Sequence, residues 1–406
     1  MMKFLFAGFA FGFCCFQMLA QSVQNGTPLN SSEYHTLREN LNNSQLKFEH
    51  QKEGRVAFVG GSITYNPGWR DSVCAYLTQR FPKTKFEFIA AGISSMGTTP
   101  AAFRLERDVL SKGSIDLLFE EAAVNDATNG RTPDEQQRAM EGIVRHVRYQ
   151  NPAVDIVIMH FVDPDKMASY RAGKEPDVIT NHNLVAEHYN IPTINLAKEV
   201  TDRIDHGEFT WEDDFVDLHP SPFGQGVYAR SIIQFLNKSF ANDLNASDKI
   251  EPHSSPAKLD AFCYDKGHLV DVSAAKFSKG WNLEPNWSPK DGTGTRTNYT
   301  EVPMLESDKP GSTLKLKFKG KAVGIAVAAG QDAGSVEYRI DKGSWQFLDL
   351  FTQWSPSLHL PWYYTLASEL DGEKHRLELR ISNSKNPKST RHACRIRYFY
   401  VNGLNE

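Results

Sequence analysis

The chain holds 406 residues, 40% of them apolar, enough for two or three domains that each bury a core. Its formal charge is -4 with both signs interspersed, so no basic field draws it to nucleic acid or to an anionic membrane, and a small or neutral partner fits better. The N-terminus, MMKFLFAGFAFGFCCFQMLAQS, has one Lys, an apolar run and Met18-Leu19-Ala20 before Gln21, the pattern of a cleaved export signal over residues 1–20. The mature chain is then expected in the periplasm, at the cell surface or outside. Cys14 and Cys15 lie within that run without the small residues that precede a lipidated cysteine, and no later stretch is long and apolar enough to insert stably in a bilayer. Beyond the signal remain Cys74, Cys263 and Cys394, an odd number, so no complete disulfide framework forms; at most one pair can, and Cys263 with Cys394, both in the C-terminal region, is the candidate.

After an N-terminal segment (21–53), residues 54–240 alternate short apolar runs with amphipathic ones. Strands are expected at 55–59, 85–90, 115–119, 154–161 and 192–196, and helices at 69–81, 100–110, 133–150 and 177–189. That alternation implies an α/β fold, a three-layer doubly wound parallel sheet with helices on both faces. Residues 241–258, ANDLNASDKIEPHSSPAK, read as a polar linker. From 259 to 406 the period becomes two, as in TLKLKFKG and HRLELRIS, with turn residues between, Asp341-Lys342-Gly343 reading as a hairpin turn. This second part is expected to be an antiparallel β-sandwich, jelly-roll-like.

In an open α/β sheet, reactive groups gather where strands end at their carboxyl side. The first strand ends there in Gly60-Gly61-Ser62, with glycines that let the chain turn sharply and a hydroxyl beyond them. Gly92-Ile93-Ser94-Ser95 follows the second strand, Val124-Asn125-Asp126 the third, and His219-Pro220 precedes the final helix. A serine, a histidine, an asparagine amide and free backbone N–H groups are what acyl transfer requires: nucleophile, base and oxyanion donors.

With these four blocks the chain, from about 56 to 235, resembles the SGNH hydrolases, or GDSL-type esterases and lipases, whose fold is flavodoxin-like. The resemblance implies Ser62 as nucleophile and His219 as general base. It implies an oxyanion site made by the Asn125 amide with the backbone N–H groups of Ser62 and Ser95. The usual Gly-Asp-Ser is Gly-Gly-Ser here, a variant associated with secreted carbohydrate-active members, and Ala123 stands where glycine is usual. The family's acid stands three residues before the histidine, where this chain has Val216. Three arrangements stay open: Asp217 reaches the ring through a bend, Asp214 reaches it if the chain folds back, or the site is a Ser-His dyad oriented by a backbone carbonyl. Asp217 is the first choice.

Other polar residues read more plainly. Asp163-Pro164-Asp165 is first of all a turn. His182 and His188 lack partners in metal-ligand spacing, and neither a Walker loop nor a dinucleotide fingerprint occurs, so no metal and no cofactor are implied. Trp281, Trp287, Trp345, Trp354 and Trp362, with Tyr363 and Tyr364, either stack on sugar rings or fill the sandwich core, and PWYYT is a segment that can pack against the first half. The reading reached is an exported serine esterase that removes acyl, chiefly acetyl, groups from polysaccharide or oligosaccharide. The competing readings are a non-catalytic carbohydrate-binding protein on a hydrolase scaffold, and a glycoside hydrolase using Asp214, Asp217 or Glu121. Oligomeric state is not legible.

Overall fold

The computed structural model describes residues 27–245 and 247–404, so the expected export signal lies outside the described residues. One sheet contains β1 (His35–Thr36), β2 (Glu53–Gly60), β3 (Lys85–Gly92), β4 (Leu117–Glu121), β5 (Asp155–Met159) and β6 (Thr193–Ile194), in the order β1-β6-β5-β4-β2-β3. All pairs are parallel except β1 with β6. Strands β2, β4 and β5 are buried on both faces, which is why they read as continuous apolar runs.

The helices are α1 (Asn42–Leu46), α2 (Ser62–Tyr65), α3 (Trp69–Arg80), α4 (Thr98–Asp108), α5 (Ala123–Thr128), α6 (Pro133–Gln150), α7 (Pro164–Arg171), α8 (Asp177–His188), α9 (Leu196–Asp205) and α10 (Pro222–Ser239). Helix α6 starts on a capping box: Thr132 accepts from the Glu135 N–H, Glu135 accepts from the Thr132 N–H, and Pro133 fills the first turn. Its apolar stripe, with Ala139, Ile143 and Val147, packs with α4 and Val185 of α8 on one face of the sheet; α3, α9 and α10 cover the other. Asp163-Pro164-Asp165 is a helix start and not merely a turn. Asp163 caps α7 by accepting from the Lys166 N–H and pairs with the Lys166 ammonium at 2.5 Å.

The C-terminal part is a sandwich of two mainly antiparallel sheets. Its strands are β7 (Gly267–Val270), β8 (Lys276–Phe277), β9 (Asn282–Trp287), β10 (Gly294–Thr295), β11 (Val302–Ser307), β12 (Thr313–Lys319), β13 (Ala322–Ala329), β14 (Ser335–Ile340), β15 (Gln346–Asp349), β16 (Leu358–Ala367), β17 (Lys374–Ile381) and β18 (Cys394–Asn402). A seven-stranded sheet runs β10-β16-β13-β18-β11-β9 with β7 also paired to β18, and a five-stranded sheet runs β15-β14-β17-β12-β8. Leu305, Ile325, Leu316, Leu379 and their neighbours fill the space between them. The other face of the seven-stranded sheet packs on the α/β part: Tyr363 and Tyr400 join Phe103 and Met140 in one apolar cluster, with the Phe103 and Tyr400 rings 4.4 Å apart. Gly142, in the middle of α6, permits this approach, since a Cβ there would lie 2.7 Å from the Tyr264 carbonyl carbon.

Several expectations change. Cys263 and Cys394 are both free: Cys394 is buried between the two sandwich sheets, and Cys263 lies in the turn ahead of β7, where its carbonyl accepts from Asn402. The polar stretch 241–258 is fastened over 251–256: Asn43 clasps Glu251, His253 bridges Glu39 and Asp155, and Arg145 and Arg148 donate to Pro256 and Ser254. Trp281, Trp287 and Tyr363 are core residues, so the aromatics of the sandwich are not one platform. PWYYT does pack against the first half, with Arg131 donating to the Tyr363 carbonyl.

Candidate active site

Strand β2 lies between β3 and β4, so the sheet order reverses beside it, and its carboxyl end is the place where open α/β sheets form their ligand crevice. Gly60-Gly61-Ser62 occupies that point. Ser62 opens the short helix α2, where the first N–H groups have no partner inside the helix. Glu121, buried at the end of β4, holds the turn: its Oε1 accepts from the Gly61 N–H at 2.8 Å and from the Thr64 hydroxyl at 2.6 Å. Burial pushes its carboxyl up to about 7, against those two hydrogen bonds, which favour the charged form. This carboxylate is committed to the turn, which speaks against the glycoside-hydrolase reading. Its neighbour Glu120 points to the opposite face, as alternation along a strand requires, and burial likewise raises its pKa.

The Ser62 hydroxyl lies 2.7 Å from His219 Nε2. His219 sits in the loop between a single wide turn, Trp211–Phe215, and α10, which Ser221 caps by accepting from the Gly224 N–H. The loop is tightened by the Ser221 N–H donating to the Phe215 carbonyl and by the Ser221 hydroxyl donating to the Asp214 carbonyl. Val216 takes φ +81° and ψ -60°, a conformation strained for a β-branched residue. Past it, Asp217 turns back, accepts from the His219 backbone N–H and brings Oδ1 to 3.7 Å from Nδ1 of the ring. That is longer than a hydrogen bond, in a loop whose side chains are about half exposed. The Asp214 carboxylate instead accepts from the Thr210 N–H at 2.8 Å and the Thr210 hydroxyl.

Asn125, in α5, lies against Gly61 so closely that a Cβ on Gly61 would fall 1.9 Å from its Oδ1. With Asn125 placed as it is here, any side chain at position 61 collides with the asparagine. Among the described residues the Asn125 amide has no hydrogen-bond partner, which leaves it available to a ligand. Its neighbour Asp126 is buried and fixes the two loops together, accepting from the Thr98 N–H and hydroxyl and meeting His182 Nε2 at 3.0 Å. His182 therefore serves this brace, while His188 bonds the Ala257 carbonyl. Ser95 adopts φ +71°, and its carbonyl accepts from Asn129. Among the described residues no group of three or more His, Cys, Asp or Glu could hold a metal ion.

One residue of the site escaped the sequence reading. Arg296, on the turn after β10, reaches from the sandwich to the crevice and donates Nη2 to the Ser95 hydroxyl at 2.9 Å. Its Nε is buried without a partner, and burial lowers its pKa. Among the described residues no carboxylate lies within 4 Å of it, so it brings an uncompensated positive charge beside Ser95. No short-range signal in TGTRTNY marks it.

Residues 58–227 match the GDSL-like Lipase/Acylhydrolase family. Among solved structures, a two-domain esterase (CEX) active on acetylated mannans, co-crystallized with mannopentaose, is similar with TM-score 0.70 at 20% identity, over 89% of this chain and 93% of that one. A second structure of a two-domain esterase (CEX) active on acetylated mannans gives TM-score 0.66 at 20% identity, over 86% and 91% of the two chains. Axe2, an acetylxylan esterase from Geobacillus stearothermophilus, covers 47% of this chain and 95% of its own at 17% identity and TM-score 0.36. No curated protein matches the chain. At these identities the two-domain likeness is a likeness of fold.

Proposed function

We propose, from the premise that residues 58–227 are a GDSL-like lipase/acylhydrolase domain, that the protein is an exported serine esterase removing acetyl groups from polysaccharide or oligosaccharide. The observation that carries this reading is the 2.7 Å contact between Ser62 Oγ and His219 Nε2 at the reversal point of the sheet. The choice of an acetylated carbohydrate is supported by the shared two-domain fold with an esterase active on acetylated mannans. In this reading residues 54–240 form the catalytic unit and 259–406 an accessory sandwich that also reaches the crevice through Arg296.

Ser62 Oγ attacks the ester carbonyl carbon while His219 Nε2 takes the hydroxyl proton. The carbonyl oxygen becomes an oxyanion held by the Asn125 amide and the N–H groups of Ser62 and Ser95. Collapse breaks the bond to the sugar oxygen, which leaves with the proton from His219. A water, deprotonated by the same ring, then attacks the acyl-serine carbonyl carbon; the bond to Ser62 Oγ breaks, His219 returns the proton to that oxygen, and acetate is released. In this reading Asp217, 3.7 Å from Nδ1 of His219, is the acid that steadies the imidazolium.

Ser62→Ala tests this directly. Acetate release from 4-nitrophenyl acetate and from an acetylated mannan is expected to vanish with the circular dichroism spectrum unchanged, whereas activity near that of the wild type refutes Ser62 as nucleophile.

A further inference from the structure

The charge of the sandwich collects on the outer face of its five-stranded sheet. Leu314, Leu316 and Phe318 of β12 point into the core, so Lys315, Lys317 and Lys319 point away from it. Toward the end of β12 the register sets like charges side by side: Lys317 stands opposite Arg376 and Lys319 opposite Lys374 on β17, while Lys315 lies between Glu378 on β17 and Lys276 on β8. Like charges directly opposite on neighbouring strands cost stability, in a chain whose net charge is -4 and which has carboxylates to spare elsewhere.

The acidic residues on this face are already engaged. The single buried carboxylate of Glu378 meets Arg339, Arg376 and Lys315, and Glu337 takes the guanidinium of Arg380. Trp345 lies on the same face, its ring centre 4.6 Å from the Arg339 guanidinium carbon and 4.2 Å from that of Arg380. Phe347, opposite Glu337 on β15, is 57% exposed.

We propose that this face binds an anionic polysaccharide bearing carboxylates along its chain, and so holds the enzyme on a uronate-containing matrix. Alternate residues of β12 place ammonium groups about 7 Å apart along a line, which suits a linear polyanion better than one small anion. The exposed Phe347 ring beside the cations adds flat apolar surface for a pyranose ring. The choice of polysaccharide over other polyanions rests on the carbohydrate-esterase reading above. The seven-stranded sheet lies between this face and the catalytic part, so attachment here leaves the crevice open.

The test is electrophoresis of the full chain through gels containing polygalacturonate, with neutral mannan, double-stranded DNA and anionic phosphatidylserine vesicles as separate arms. The wild type is expected to be retarded by polygalacturonate, not by unsubstituted mannan, with the retardation lost as salt is raised. Lys317→Glu with Lys319→Glu should weaken the apparent affinity by about tenfold or more. It should leave the melting temperature equal or higher, because each new carboxylate faces a cation across the strand pair. Hydrolysis of 4-nitrophenyl acetate by this variant should match that of the wild type. Absence of retardation, equal retardation of the variant, or tighter binding to DNA or vesicles than to polygalacturonate overturns the proposal. Retardation of a wild type that hydrolyses no ester supports the binding face and removes only the esterase reading.

Discussion

Gly61→Ala asks whether the Asn125 amide must lie flat against the nucleophile turn. The added Cβ would sit 1.9 Å from Asn125 Oδ1, where ordinary contact begins near 3.4 Å, so the amide has to retreat. The shortfall is about 1.5 Å, and about 1 Å of misplacement already costs roughly a hundredfold in rate. Losing one oxyanion donor costs about 100- to 1,000-fold in kcat, or roughly 3 to 4 kcal/mol. The backbone at Gly61 has φ -90° and ψ -147°, at the margin of what alanine adopts, so a local strain adds to the clash and melting is read separately from kcat. The assay is kcat on 4-nitrophenyl acetate, with thermal melting as the control. In an Asn125→Ala background the new methyl has nothing to strike, and the second change should cost less than about tenfold. A kcat within about threefold of the wild type, or a full additive loss in the double variant, refutes the steric argument.

Two further outcomes test the acid and the arginine. Asp217→Asn should lower kcat by orders of magnitude near neutral pH without unfolding, because an amide can favour the wrong imidazole tautomer, while Asp214→Asn should lower the melting temperature by loosening Thr210 and leave kcat nearly intact. The reverse ranking moves the role to Asp214, and two mild variants leave a dyad. Arg296→Ala should lower kcat/KM by about tenfold for small and polymeric esters alike, the worth of one charge-assisted hydrogen bond near the oxyanion; an unchanged kcat/KM confines Arg296 to bracing the Ser95 turn.

The parts that sequence made legible are those governed by short-range pattern. The β2 run and its Gly-Gly-Ser exit stood out because a doubly covered strand is apolar throughout and its end must turn sharply. The start of helix α6 is legible because Thr132, Pro133 and Glu135 form a complete start signal. Helix α7 is not legible although its start carries a similar signal: an aspartate cap with proline at the first helical position also opens turns, and its stripe of apolar residues is poor. Helix α9 followed a strand of only two residues, too brief to announce a change of element. Arg296 was out of reach, since its contact with Ser95 spans 201 positions and depends on how the sandwich docks. The charged face was half visible: TLKLKFK and HRLELR show which residues alternate, but only the pairing register brings lysine opposite arginine.

The apolar cluster shared by α4, α6 and the seven-stranded sheet makes the molecule a single cooperative object despite its two architectures. Phe103 is touched by rings from both ends of the sandwich, Tyr264 before its first strand and Tyr400 in its last, so neither half has a finished surface of its own on that side. The stretch 241–258, fastened by His253 and Asn43, adds polar stitching along the same edge. Melting should therefore spread through both halves at once instead of peeling the accessory sheets away first. The crevice inherits that rigidity: the arm carrying Arg296 is held over Ser95 by a buried interface, not by a loop waiting for substrate to close it.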